Sequence, residues 1–199
     1  LTVKGKGRFA GSKKYQFGIT AKDISGLRIL TPDIMYKNKK GNYVNKPVIT
    51  DVDGKKIVLI NDVRFKSRRI VNWNEIEVYL KEYVGDFFEI TETSEKIYIG
   101  SDFPDEFTHS EDTKRLKGAN IKAKANITSA LPEIVEIATN KSEYQDYNNK
   151  HKSKAKYGWY RYDTRFGLPV YDEEGEVERY NIFKAVLLIR HAKDNKMYL

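Results

Sequence analysis

Side chains alternate across a β-strand, so the run Trp159-Tyr160-Arg161-Tyr162-Asp163-Thr164-Arg165 sets Trp159, Arg161, Asp163 and Arg165 on one face. Tyr160, Tyr162, Phe166 and Leu168 fall on the opposite face, which reads as the one packed under helices. Residues 157–171 and 177–191 flank the turn Asp172-Glu173-Glu174-Gly175 and read as one long hairpin. With a loop of about three residues, Trp159 pairs with Ile189 and Arg161 with Leu187, and His191 joins the face of the arginines. Two arginines, a histidine and nearby tyrosines have a chemical use. Cleaving RNA without a metal needs a base for the 2′-hydroxyl proton, cations for the charge on phosphate, and an acid for the leaving oxygen. Histidine suits the proton transfers because its pKa lies near neutrality. Arginine suits the phosphate because its planar fork stays charged and grips two oxygens. His151, in a loop with Lys150 and Lys152, is the second proton-transfer candidate, and Lys124 is placed to face the sheet from a helix. Arg161, Asp163 and Arg165 equally fit a cross-strand ion ladder on a solvated face.

Composition narrows the chemistry. The 199 residues contain no cysteine, which removes disulfides, thiolate metal sites and cysteine nucleophiles together. His109, His151 and His191 are too scattered for a zinc spacing. No cofactor is expected. No run of about eighteen apolar residues occurs, so a spanning helix is not expected, and no basic-then-apolar leader is visible. A first residue other than methionine suggests a piece of a longer polypeptide, which acts in the cytoplasm or is delivered into a target cell's cytoplasm. The net charge of +8 is unevenly spread: residues 1–70 carry 17 Lys and Arg against 5 Asp and Glu, residues 71–143 carry 8 against 15, and residues 144–199 carry 11 against 8. A basic stretch concentrates polyanions, and nucleic acid is the commonest partner for such a balance.

Residues 1–70 read as a basic, β-rich region of short strands and polar turns, with Tyr15, Phe17 and Ile19 alternating onto one face. The period changes near residue 71. Asn72-Trp73-Asn74-Glu75 has the cap-then-glutamate pattern of a helix start, Ile76, Tyr79, Leu80, Tyr83 and Val84 follow at helical spacing, and Gly85 stops it. Phe87 to Ile90 and Lys96 to Gly100 read as two strands joined by the polar turn Thr91 to Glu95. Residues 101–110 read as an acidic connector, since Asp102, Asp105 and Glu106 lack the spacing of a calcium loop. Residues 111–140 read as helical, with Leu116, Ala119, Ala123 and Ile127 as a small-residue stripe and Pro132 opening a second helix. A polar linker is expected over 140–156, and residues 197–199 begin a further strand. The expected fold is α+β, helices packed on a curved antiparallel sheet, with regions at 1–70 and 71–199.

Three stretches, 72–84 (NWNEIEVYLKEYV), 97–125 (IYIGSDFPDEF through LKGANIKAKA) and 158–191 (GWYRYDTRFGLPVYDEEGEVERYNIFKAVLLIRH), resemble a family of phage- and mobile-element-associated domains of the barnase, EndoU, colicin and RelE-like nuclease superfold. The resemblance covers about residues 57–199. It implies RNA held on the open face of the sheet and cut by 2′-hydroxyl attack without metal, with an immunity protein as a further partner. The positions that match are Arg161, Arg165, Arg179, Arg190 and His191, together with His151. His191, His151, Arg161 and Arg165 are then the expected catalytic set, and Arg179, Arg190, Lys124, Tyr160 and Trp159 the expected RNA contacts. The expected function is a metal-independent endoribonuclease of toxin type. The alternative is a non-catalytic nucleic-acid-binding or phage-particle-associated domain.

Overall fold

The computed structural model describes residues 46–65, 70–144 and 155–199, and the strand backbone of residues 2–4, 18–20 and 29–30. In chain order the strands and helices are β1 (Thr2–Lys4), β2 (Gly18–Thr20), β3 (Ile29–Leu30), β4 (Val48–Thr50), β5 (Lys56–Leu59), α1 (Trp73–Lys81), β6 (Phe87–Ile90), β7 (Glu95–Tyr98), α2 (Phe103–His109), α3 (Glu111–Lys114), α4 (Ala119–Ile127), α5 (Leu131–Glu136), β8 (Thr139–Tyr144), β9 (Trp159–Tyr171), β10 (Val177–His191) and β11 (Met197–Tyr198). This is an α+β fold, helices against one curled sheet.

The helix at residue 72 forms as its spacing requires. The Asn72 side chain accepts from the Glu75 N–H, and Ile76 and Leu80 turn a buried face inward. Residues 101–110 are not a connector. Pro104 lies in the first turn of α2, and Phe103 and Phe107, one helical turn apart, are buried with ring centroids 5.6 Å apart. The apolar pair outweighs the acidic flank, of which Asp105 and Glu106 are exposed. The 111–140 segment is broken rather than continuous. Gly118 takes φ +59°, a left-handed position that ends one helical stretch before α4 begins, so Leu116 lies outside the stripe. Pro132 does stand in the first turn of α5. The expected linker starts as β8, which pairs with β9.

The sheet runs β3-β4-β5-β9-β10-β11-β7-β6, with β8 on β9 and β1 and β2 on β10. It is mixed, not antiparallel throughout: β5 runs parallel to β9, and β11 runs parallel to β7. Both parallel contacts join strands far apart in sequence, the helical segments lying between them in the chain. Strands from either side of residue 70 hydrogen-bond in this sheet. The hairpin of β9 and β10 is its axis, but its register is one residue away from the expected one. Tyr171 opposes Val177, whereas Val170 opposes Arg179, so Glu178 is an extra residue in β10. From there to the strand ends Arg161 opposes Leu188 and Trp159 opposes Arg190.

The inner face carries Phe88, Ile90, Ile97, Tyr162, Phe166, Leu187 and Ile189 in one core with Ile76, Leu80, Phe103, Phe107, Ile127, Leu131 and Ile134 of the helices. Tyr162, Phe166 and Leu168 are thus buried as the alternation predicts. A smaller cluster of Ile49, Ile57, Leu59 and Tyr180 lies apart from it. Among the described residues, no helix is long and apolar enough to cross a membrane.

Lys124 is part of this interior. It is 3% exposed, its ammonium donates to the Thr113 hydroxyl, and it lies 4.6 Å from the Phe107 ring centroid. Burial pushes its pKa down to about 8, while Asp112 pulls the other way. An unfolded lysine titrates near 10.4, so between these values the unfolded chain binds more protons. Stability therefore rises as pH climbs from about 8 to about 10.5, and is lost as pH falls back through 8. Replacing Lys124 with Met removes that dependence. In urea unfolding, the parent should gain on the order of 3 kcal/mol relative to Lys124→Met between pH 8 and 10.5. A difference that stays constant across that range would contradict the assignment.

Candidate nucleic-acid interface

The face of the sheet turned from the main core is set by the β9–β10 ladder. β9 presents Trp159, Arg161, Asp163 and Arg165 there, and their partners on β10 are Arg190, Leu188, Val186 and Lys184. His191 is not among them. The extra residue at Glu178 puts odd-numbered β10 residues on the inner face, where His191 pairs with Met197 and Met197 with Ile97. The His191 ring sits 4.9 Å from the Tyr157 ring centroid and 6.3 Å from that of Tyr160, and its Nε2 lies 2.9 Å from Asn195 Oδ1. The expected union of His191 with Arg161 and Arg165 does not form, and the bulge is the reason.

The other expected residues are dispersed. The Arg161 guanidinium stacks 3.9 Å from the Tyr144 ring centroid, and Arg165 is paired with Asp51 at 2.9 Å and is 17% exposed. Arg190 makes a bidentate pair with Asp102 at 2.7 and 2.9 Å. A Cβ on Gly100 would lie 2.7 Å from Asp102 Oδ1 and 3.2 Å from Arg190 Nη2, so a side chain there would push the pair out of this arrangement. Arg179 pairs with Glu178 at 2.8 Å near the hairpin turn. Trp159 is half-buried on the outer face. Tyr160 lies on the inner face, with the Lys141 ammonium 4.3 Å from its ring centroid. Lys124 is buried under the helices and does not reach the outer face. His151 lies outside the described residues.

A cleft of about 760 Å³ opens where the starts of β5 and β8 flank β9, and residues of both sheet faces line it. Asp163, Arg165 and Lys184 line its sheet side, and Lys55, Lys56, Glu92, Glu136 and Asn140 come from the loops and termini around it. Four cations and three carboxylates are thus interleaved in one hollow. Asn140 takes a left-handed φ of +59°; its N–H donates to Glu92 at 2.9 Å and its side-chain amide to Asp163 at 3.2 Å. Glu136 is half-buried at the end of α5, and burial raises its pKa above the usual glutamate value, with Lys56 opposing. Asp51 fixes one end of the Arg165 guanidinium.

The cleft can do two things chemically: grip a phosphate through Arg165 and Lys184, and take a proton at a carboxylate whose basicity lies nearer neutrality than usual. Lys55, Lys56, Lys184, Glu136 and Asn140 were not among the expected residues. Lys184 becomes visible only once the bulge is known, and Glu136 reads in sequence as a solvated helix position. Among the described residues no three histidine or carboxylate side chains are grouped to hold a metal ion. No family model matches the chain, and neither a curated protein nor a solved structure matches it.

Proposed function

We propose that this protein is a metal-independent endoribonuclease that cuts RNA in the cleft beside Arg165 and Lys184. The observation that carries the reading is the mixed charge of the cleft. A groove that merely holds a polyanion is served by cations alone, and carboxylates inside it repel the ligand. Carboxylates beside phosphate-binding cations are what acid–base cleavage requires. Arg165 and Lys184 hold the non-bridging oxygens, and Glu136 accepts the 2′-hydroxyl proton as that oxygen attacks phosphorus. Lys56, electrostatically coupled to Glu136, protonates the departing 5′-oxygen. The products are a 2′,3′-cyclic phosphate and a free 5′-hydroxyl. In this reading the base is Glu136 rather than His191. The activity is that of a toxin-like module acting where RNA is, in the cytoplasm of the producing or target cell, with an immunity protein to cover the cleft.

The test is incubation of the full chain with total bacterial RNA in excess EDTA across a pH series. Discrete fragments ending in cyclic phosphate are expected, with an acid limb above the ordinary glutamate range because Glu136 must be ionised and its pKa is raised. Glu136→Gln should lower the rate by about two to four orders of magnitude, while His191→Ala leaves it within a few-fold. Full activity in Glu136→Gln would remove Glu136 from the mechanism. Intact RNA that shifts on a native gel would instead identify a non-catalytic nucleic-acid-binding domain.

A further inference from the structure

One cross-strand row runs the width of the sheet on its outer face. Phe87 opposes Tyr98, Tyr98 opposes Tyr198, Tyr198 opposes Arg190, Arg190 opposes Trp159, and Trp159 opposes Tyr144. The row therefore holds five aromatic rings and one guanidinium on six neighbouring strands, a span of about 24 Å at the usual strand spacing. Ring centroids are 5.5 Å apart for Phe87 and Tyr98 and 5.8 Å apart for Tyr98 and Tyr198. In the adjoining row on the inner face, Phe88, Ile97 and Met197 belong to the core, so the aromatic row is not the one the helices cover.

Its surroundings are cationic rather than apolar. Lys96 lies 5.0 Å from the Phe87 ring centroid, Lys196 4.7 Å from that of Tyr98, Arg190 5.1 Å from that of Tyr198 and Arg161 3.9 Å from that of Tyr144. Asp102 neutralises Arg190, Asp194 accepts from the Tyr198 hydroxyl at 2.6 Å, and Glu89 opposes Lys96. Phe87, at one end, is 45% exposed. A row of rings on a sheet with long cations beside them is the set of elements that binds single strands: bases stack on the rings and ammonium groups move onto phosphates. From Trp159 the same face leads through Arg161 and Asp163 to Arg165 in the cleft, about 20 Å at strand rise.

We propose that this row is a stacking track for single-stranded RNA, which delivers an unpaired segment to the cleft. The inference rests on RNA being the ligand of the outer face and adds the substrate class: unpaired rather than duplex, because duplex bases hide their faces from the rings. It requires a substrate long enough to reach from the row to the cleft.

The test uses the full chain carrying Glu136→Gln, so that bound RNA stays intact, and a labelled single strand of about ten nucleotides. Fluorescence anisotropy at roughly 0.1 M salt should show binding that a blunt duplex of the same sequence does not match. Phe87→Ala and Tyr144→Ala, at the two ends of the row, should each weaken it by about five- to a hundred-fold. Tyr171→Ala, an exposed tyrosine outside the row, should leave it unchanged. A second readout leaves the row intact: Trp73→Phe makes Trp159 the sole tryptophan, and stacking should quench its emission as the single strand is added. Binding that survives both truncations without quenching would overturn the track, while cleavage by the parent chain would still support the cleft. Duplex bound as tightly as single strand, or no binding of the oligonucleotide, would also overturn it.

Discussion

The pairing of β9 with β10 is the interaction on which the rest of the structure depends. The two strands are 13 and 15 residues long, and every other strand but β3, β4, β6 and β7 hydrogen-bonds directly to one of them. Because side chains alternate with a period of two, a single inserted residue decides which set of β10 faces the helices. Glu178 is that residue. It sends Leu187, Ile189 and His191 inward, and Lys184 and Arg190 outward. Once the bulge is in place the two faces have different work: the inner row buries aliphatic and aromatic surface, and the outer face is left with the charges and rings.

That division also explains why buried polar groups gather on the helical side. Glu133 is almost fully buried in α5; one of its oxygens accepts from the Lys46 N–H, and the other has no hydrogen-bond partner among the described residues. Burial raises its pKa to about 7, so near neutral pH it holds a proton far more often than an exposed glutamate does. Tyr162 sits at the border, its ring in the core and its hydroxyl on Glu95, which also takes the Lys141 ammonium. The helical layer and the sheet are therefore fastened by polar contacts at the edges and by apolar packing between them. Asn126, itself buried, ties the segment at Phe65 to α4: it accepts from the Phe65 N–H and donates to the Phe65 carbonyl.

Much of this was legible in residue patterns where the signals are local. Asn72 and Glu75 with Ile76 and Leu80 specify α1, the β6–β7 hairpin follows from two short apolar runs, and the turn before Val177 specifies the long hairpin. The alternation on β9 correctly identifies Tyr162, Phe166 and Leu168 as core. What was not legible is non-local or a matter of a single residue. A bulge leaves no mark in an alternating pattern that has charges on both faces near the turn. The parallel contacts of β5 and β11 join segments far apart in the chain, and β8 is polar enough to read as a linker because it runs along an edge of β9. The Ser101 to Ser110 stretch was misread because its three carboxylates are more conspicuous than the Phe103–Phe107 pair that folds it. The candidate site depends on the same non-local features: without the bulge His191 falls on the face of the arginines and Lys184 on the other, and Glu136 reads as a solvated helix position.

The central claim is that RNA lies on the outer face of the sheet. Photo-crosslinking places it most directly: the full chain carrying Glu136→Gln is irradiated with a 5-iodouridine single strand, and the adducts are mapped by mass spectrometry. Adducts at Trp159, Tyr198 or Tyr144, with none on α1 or α2, are the predicted result. Adducts confined to the helical side, or adducts on the outer face that an excess of unrelated polyanion abolishes, would contradict the account.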